Sequence, residues 1–359
     1  MRRITPIGAV LVCTALIVAA CSQGAATTEP TTTTLTPLTT LVTTTTSPTT
    51  TVPAPTTTAT PAPNIADTVN GLEADESSVQ RRAVVIKIDN HSNARPQSGL
   101  MDADLVYEIL VEGGLTRFAA VFHQSDLDYV GPVRSGRPTD VGVVKPLDAP
   151  FQISGAQPWV QDIFKAEGLK MVYDNGTTTW REHHRSAPHN LYSSTYLIRD
   201  YADGRGWSDE SPGNVFSFGD PTPTSGTATN IELDWSDHPD VRWVWNGETY
   251  ERFNGSVPHK WVTEDGEDGI VTTPMIVVLV GRRYTASPSG KGSSVPATDT
   301  VGSGTAIVFR DGGVIEGTWQ RDRNDVPFEL SDASGNDIVL PASKMWIAIF
   351  PDNRTVNWS

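Results

Sequence analysis

Beyond position 21 the sequence has no cysteine: Cys13 and Cys21 are the only two among 359 residues. Disulfides, thiolate metal sites and cysteine nucleophiles are therefore excluded from the rest of the chain. Basic residues are also scarce, 27 Lys and Arg against 42 Asp and Glu, for a formal net charge of −15. Affinity for phosphate backbones comes largely from Lys and Arg displacing counterions, so this balance argues against a nucleic-acid partner. Long apolar runs are missing too. The stretch from Ile7 to Ala20 is too short to span a bilayer as a mature helix, and no later segment is apolar enough.

What the first residues do contain is Arg2 and Arg3 ahead of that apolar stretch, the pattern of a secretory signal expected over residues 1–20. The rest of a twin-arginine motif is absent, so general secretion is expected. The stretch ends Val18-Ala19-Ala20-Cys21, like the bacterial lipobox, which predicts cleavage before Cys21 and acylation of that residue, as by palmitate. Residues 21–63 then read as a disordered linker: Thr27 to Pro63 hold 20 Thr and 7 Pro, with Glu29 the only charge. Such a composition cannot bury enough apolar surface to fold. Near polyproline II, at about 3.1 Å per residue, it reaches on the order of 130 Å, enough to cross a cell wall. The expected location is the cell membrane, lipid-anchored, on the extracytoplasmic face.

The remaining 296 residues suit two domains of ordinary size, 64–215 and 228–359, because Ser208 to Thr229 is rich in turn-forming residues. In the first, strands are predicted at Ala83–Ile88, Ala103–Val111 and Thr116–His123, the last two joined by a Gly113-Gly114 turn, with helices at Pro138–Pro146, Pro158–Gly168 and Leu191–Asp203. This reads as α+β or α/β. The second offers short alternating runs, among them Val241–Trp245, Pro274–Val280, Thr305–Phe309, Val314–Trp319 and Met345–Ile349, and reads as a smaller β-rich sandwich or barrel.

Chemistry-bearing residues concentrate between Asp89 and Tyr192. Asp89-Asn90-His91 follows the first strand, where loops commonly place functional groups, although Asp and Asn also make local turns. Glu108 and Glu112 invite an acid/base reading, but four strand residues separate them by roughly 13 Å. A salt bridge from one of them to Arg117 on the facing strand is the plainer expectation. Gly131-Pro132-Val133-Arg134-Ser135-Gly136-Arg137-Pro138 sets two guanidiniums three apart in a loop before a predicted helix, a fork for carboxylate or phosphate or else an internal ion network. Arg181 to Asn190 collects His183, His184 and His189, but the spacing fits no zinc signature, so no metal or other cofactor is expected. Trp243, Trp319 and Trp346 suit core filling better than a sugar-stacking face.

Five ordered blocks, Asn90 with Ala94-Arg95-Pro96-Gln97, Asp104-x-Val106-Tyr107-Glu108, Glu112-Gly113-Gly114-x-Thr116-Arg117, Gly131-Pro132-Val133-Arg134-Ser135-x-Arg137 and Ala187-Pro188-His189-Asn190-Leu191-Tyr192, together resemble the YerB-like family of bacterial lipoproteins. Gly302-Ser303-Gly304 and Gly317-x-Trp319-x-Arg321 are similar to that family's C-terminal domain. The resemblance implies an anchored envelope protein of two domains and supplies no reaction. Gly136 departs from the expected Ala, which should loosen its loop.

The first functional expectation is a non-catalytic lipoprotein binding an anionic cell-envelope, small-molecule or peptide ligand. Arg117, Arg134 and Arg137 would grip the anion, while Asn90, Arg95, Glu108, Glu112, His189 and Asn190 complete one pocket. One alternative is a wall-polymer hydrolase or transferase using Glu108 or Glu112 with a raised pKa. Another is an envelope scaffold with an exposed apolar patch and no pocket.

Overall fold

Strand Val84–Asp89 is buried at all six positions, which a strand achieves only when both faces of its sheet are covered. The computed structural model of the protein describes residues 66–237 and 241–359. At its centre a ten-stranded sheet runs through both halves of the sequence. From one edge come Glu329–Asp332, Gly313–Arg321, Gly302–Arg310, Met275–Gly281 and Met345–Pro351; then Leu105–Leu110, Thr116–Phe122, Val84–Asp89, Pro150–Gln152 and Lys170–Val172. The halves join where Met345–Pro351 lies parallel to Leu105–Leu110, with Glu108 opposite Ala348.

The mixed N-terminal region and the strand-rich C-terminal region are both present, and sheet dominates. The C-terminal strands do not close into a free-standing sandwich or barrel, however. Five extend the central sheet, and others form a six-stranded sheet that includes Asn230–Leu233, Val241–Trp245, Tyr250–Asn254, Val257–Pro258 and Val356–Trp358. The physical reason is the parallel seam: Leu105–Leu110 needs a partner on both sides, and Met345–Pro351 supplies one.

Because side chains alternate along a strand, the sheet's faces feed two apolar clusters. Val85, Tyr107, Ala119, Val277 and Ile347 pack with Phe151, Phe164 and Leu147 on one face. Ile86, Phe118, Ile276 and Trp346 pack on the other against Ile231, Trp243 and Tyr250 of the six-stranded sheet. We call these the helix side and the second-sheet side.

The helix Pro158–Ala166 begins with proline in its first turn and buries Val160 and Phe164, four apart on one face. The helix expected from Leu191 begins later, at Thr195: Leu191–Ser193 pairs instead with Thr179–Arg181, and Ser194 caps the helix that follows. The helix expected over Pro138–Pro146 is a chain of single turns, Pro138–Asp140, Val141–Val144 and Lys145–Leu147. No helix among the described residues is long and apolar enough to cross a membrane.

Candidate functional site

Period-two alternation decides which predicted residues meet. Asp89 stands opposite Arg117, and Lys87 opposite Ala119, so these side chains share the helix side with Val85. Glu108 stands opposite Phe118, one position on from Arg117, and so belongs to the second-sheet side. The salt bridge to Arg117 expected from Glu108 or Glu112 therefore does not form: Glu108 pairs with Arg252 and Glu112 with Arg137. The single pocket expected for all the polar residues is replaced by two clusters on opposite faces, near the edge formed by the ends of these interior strands.

On the helix side the arginine loop is wedged into the crevice where two parallel strands end. Val84–Asp89 runs parallel to Pro150–Gln152, and beyond that pairing the loop bonds to both: Arg134 N donates to Lys87 O at 2.8 Å, and Ser154 N to Arg134 O at 3.1 Å. Gly136 is not a loose point in this loop. A Cβ there would stand 2.9 Å from the Phe164 ring, so the missing side chain lets the helix close onto the loop.

The charges in this crevice do not cancel. Lys87 Nζ and Asp140 Oδ1 are 2.5 Å apart and fully buried; burial holds the Lys87 pKa below its ordinary value, with Asp140 opposing the shift. Arg137 donates from Nε to Glu112 at 2.6 Å and from Nη1 to Gly136 O at 2.7 Å. Burial alone would raise the Glu112 pKa, but Arg137 outweighs it and the net shift is downward. Arg117 donates to Ser135 O at 2.7 Å and has no carboxylate partner among the described residues. Its pKa is pushed down to about 10, first by burial and then by the Arg137 charge, with Arg134 adding to the repulsion. Arg134 Nε lies 3.1 Å from Asp89 Oδ2 without hydrogen-bond alignment, and His189 Nδ1 donates to the same oxygen at 2.8 Å. The terminal nitrogens of Arg134 have no partner among the described residues. Four cations, Lys87, Arg117, Arg134 and Arg137, thus face three carboxylates, Asp89, Glu112 and Asp140.

On the second-sheet side the polar groups close on themselves. Glu108 is fully buried; one oxygen accepts from Arg252 and from Thr116, each at 2.7 Å, and the other from Trp346 Nε1 at 2.8 Å. Arg252 also bonds Asn254 Oδ1 at 3.1 Å and His259 Nδ1, and stands over the rings of Phe118, Trp243 and Trp346. A guanidinium only donates, so His259 Nδ1 accepts and its Nε2 donates to Gln97 Oε1 at 2.7 Å. Burial, then Arg252 and Arg95, hold the His259 pKa well below 6.5, which keeps the ring neutral. Gln97 and Asn90 continue the chain of bonds to Thr116 and Arg95.

Two clefts open near this edge of the sheet. One of about 690 Å³ is lined by Glu112, Asp237, Arg283 and Arg354 among others; the second, of about 500 Å³, takes in Asn90, His91, Arg95, Thr116, Asn254 and Val257. They share Gly114, Trp235 and Ser236. Arg117, Arg134, Arg137 and His189 line neither. Asn190 belongs to the Thr179–Ser193 hairpin, accepting from Arg181 at 3.0 Å and donating to Glu182 O at 3.1 Å. Cys21 lies outside the described residues. No group of three or more His, Cys, Asp or Glu among the described residues could hold a metal ion. Sequence reasoning missed Lys87, Asp140, Gln97, Arg252 and His259. A Lys inside an apolar strand, and an Arg two positions after Tyr250 on the same buried face, were the available signals.

Comparison with known proteins agrees with the earlier resemblance. Residues 69–208 match the family model described as "Protein of unknown function (DUF3048) N-terminal domain", and residues 231–347 match its C-terminal domain. The chain is 28% identical over 295 residues to "Putative lipoprotein YerB" of Bacillus subtilis (strain 168), covering 79% of this chain and 86% of that protein. The crystal structure of the YerB protein from Bacillus subtilis superposes with a TM-score of 0.69 at 26% identity, covering 81% of this chain and 99% of that one.

Proposed function

The chain belongs to this two-domain family of unknown function, and from that premise we propose that it is a lipid-anchored envelope protein whose helix-side crevice binds an anionic ligand through Arg117 and Arg134. The observation that carries the reading is the excess cation: Arg134, with its side chain 25% exposed, has terminal nitrogens without a partner among the described residues in a chain of net charge −15. Ligands of open α/β sheets bind outside the carboxyl ends of parallel strands, which is where this loop sits. Planar guanidiniums there suit a carboxylate or phosphate of a wall fragment or peptide. Arg137, held by Glu112, positions the loop and is not a gripping residue in this reading.

The acid/base alternative finds less support. Glu112 has a lowered pKa, opposite to what a proton donor needs, and Glu108 is enclosed with every oxygen engaged. Thermal shift of the full chain against anionic wall fragments tests the proposal. Stabilisation by some of them is expected, and R117Q combined with R134Q should remove it; a shift that survives both changes rejects the crevice as the site.

A further inference from the structure

The cleft of about 500 Å³ on the second-sheet side is separate from that crevice, and its lining is selective in a way the whole chain is not. Among the described residues that line it none is Asp or Glu, although acidic residues outnumber basic ones 42 to 27 in the sequence. Its one formal cation, Arg95, donates from Nε and Nη2 to Asn90 at 3.1 and 3.0 Å and pairs with no carboxylate among the described residues. Glu108 is paired with Arg252 and Asp89 with His189, so both act on Arg95 at a distance without forming an ion pair with it.

The other polar groups can be oriented from their partners. Arg252 can only donate to Asn254, so the Asn254 carbonyl faces inward and Nδ2 is left as a donor. Asn93 N donates to His91 Nδ1 at 3.1 Å, so a neutral His91 carries its proton on Nε2. Neither Nδ2 nor Nε2 has a partner among the described residues. Leu115, Val241 and Val257 supply apolar wall, and Val257 is 63% exposed. The burial of Arg95 and its repulsion by Arg252 push its pKa down to about 10, against the opposing pull of Glu108 and Asp89.

We propose that this cleft binds a short apolar chain ending in a free carboxylate, with Arg95 as the ion-pair partner, Asn254 and His91 as hydrogen-bond donors, and Leu115, Val241 and Val257 against the apolar portion. One uncompensated cation calls for a monoanion, and the volume falls in the range of small-molecule sites.

The test is calorimetric titration of the full chain with acetyl-Ala-Val-Ala as free acid, the same peptide as its amide, and octanoate. Binding of the peptide acid, with the amide at least about tenfold weaker, supports a peptide carboxyl terminus; octanoate binding in its place supports an acyl carboxylate. R95Q should erase the difference between acid and amide. V257S, at an exposed wall position, should weaken the bound probe even if R95Q fails to fold. R117Q with R134Q should leave this binding unchanged, which separates the inference from the crevice proposal. No binding of any carboxylate at millimolar concentration, equal binding of acid and amide, or discrimination that survives R95Q overturns it.

Discussion

On the second-sheet side of the central sheet, Glu108, Arg252 and His259 are enclosed among Trp243, Trp346 and Phe118, and the Glu108 and Arg252 charges pair with one another. On the helix side, a few residues along the same strands, Arg117 and Arg134 keep guanidinium nitrogens that none of the described residues engages. The residue types are alike, and what differs is closure. A buried carboxylate and guanidinium that satisfy one another specify packing, whereas cations left in excess beside solvent are available to something else.

Breaking the closed side should cost most. E108A leaves Arg252 buried without its carboxylate, and a loss of about 3–5 kcal/mol is expected in urea unfolding. A loss under about 1 kcal/mol would mean that the surrounding rings alone support the cation. Next comes G136A, where the new methyl meets Phe164; about 1–3 kcal/mol should be lost, measured in the same way.

The closed side also makes a prediction for pH. The pKa of His259 is depressed, chiefly by burial, as is that of His123, a buried ring outside this cluster that accepts from Val69 N, so between their folded and unfolded values the unfolded chain holds more protons. Their contribution is therefore complete above about pH 6.5 and is lost as pH falls, at up to about 1.4 kcal/mol per pH unit for each ring. Unfolding free energies from pH 8 to 5 should show this slope, and H259Q should reduce it. A slope that H259Q leaves untouched would assign it elsewhere.

The open side should respond differently. R134Q should change stability by no more than about 0.5 kcal/mol while removing ligand-induced stabilisation, because the side chain is partly exposed and its removal relieves repulsion at Arg117. The smallest effect belongs to E112Q. The lowered Glu112 pKa gives stability that is present above pH 4.5 and disappears as pH falls through the folded value, so E112Q should flatten only the acid end of the pH profile.

Strand positions were largely legible in the sequence, since Val84–Asp89, Thr116–Phe122 and Val241–Trp245 carry their apolar runs plainly. Facing residues were legible less often. Glu108 and Arg117 lie on neighbouring strands, but only the register, with Glu108 opposite Phe118, shows that they point apart. The true partner, Arg252, is 144 residues away, on a strand brought over by the second sheet, and no local spacing announces it. Asp140 was hidden in the same way, inside a short turn that Lys87 reaches across the crevice.

Met345–Pro351 occupies the middle of the central sheet, between Met275–Gly281 and Leu105–Leu110. A polypeptide emerging head first therefore holds two unjoined half-sheets until residue 351 arrives. Joining the two halves into one sheet therefore depends on a single strand that follows every other strand of that sheet along the chain.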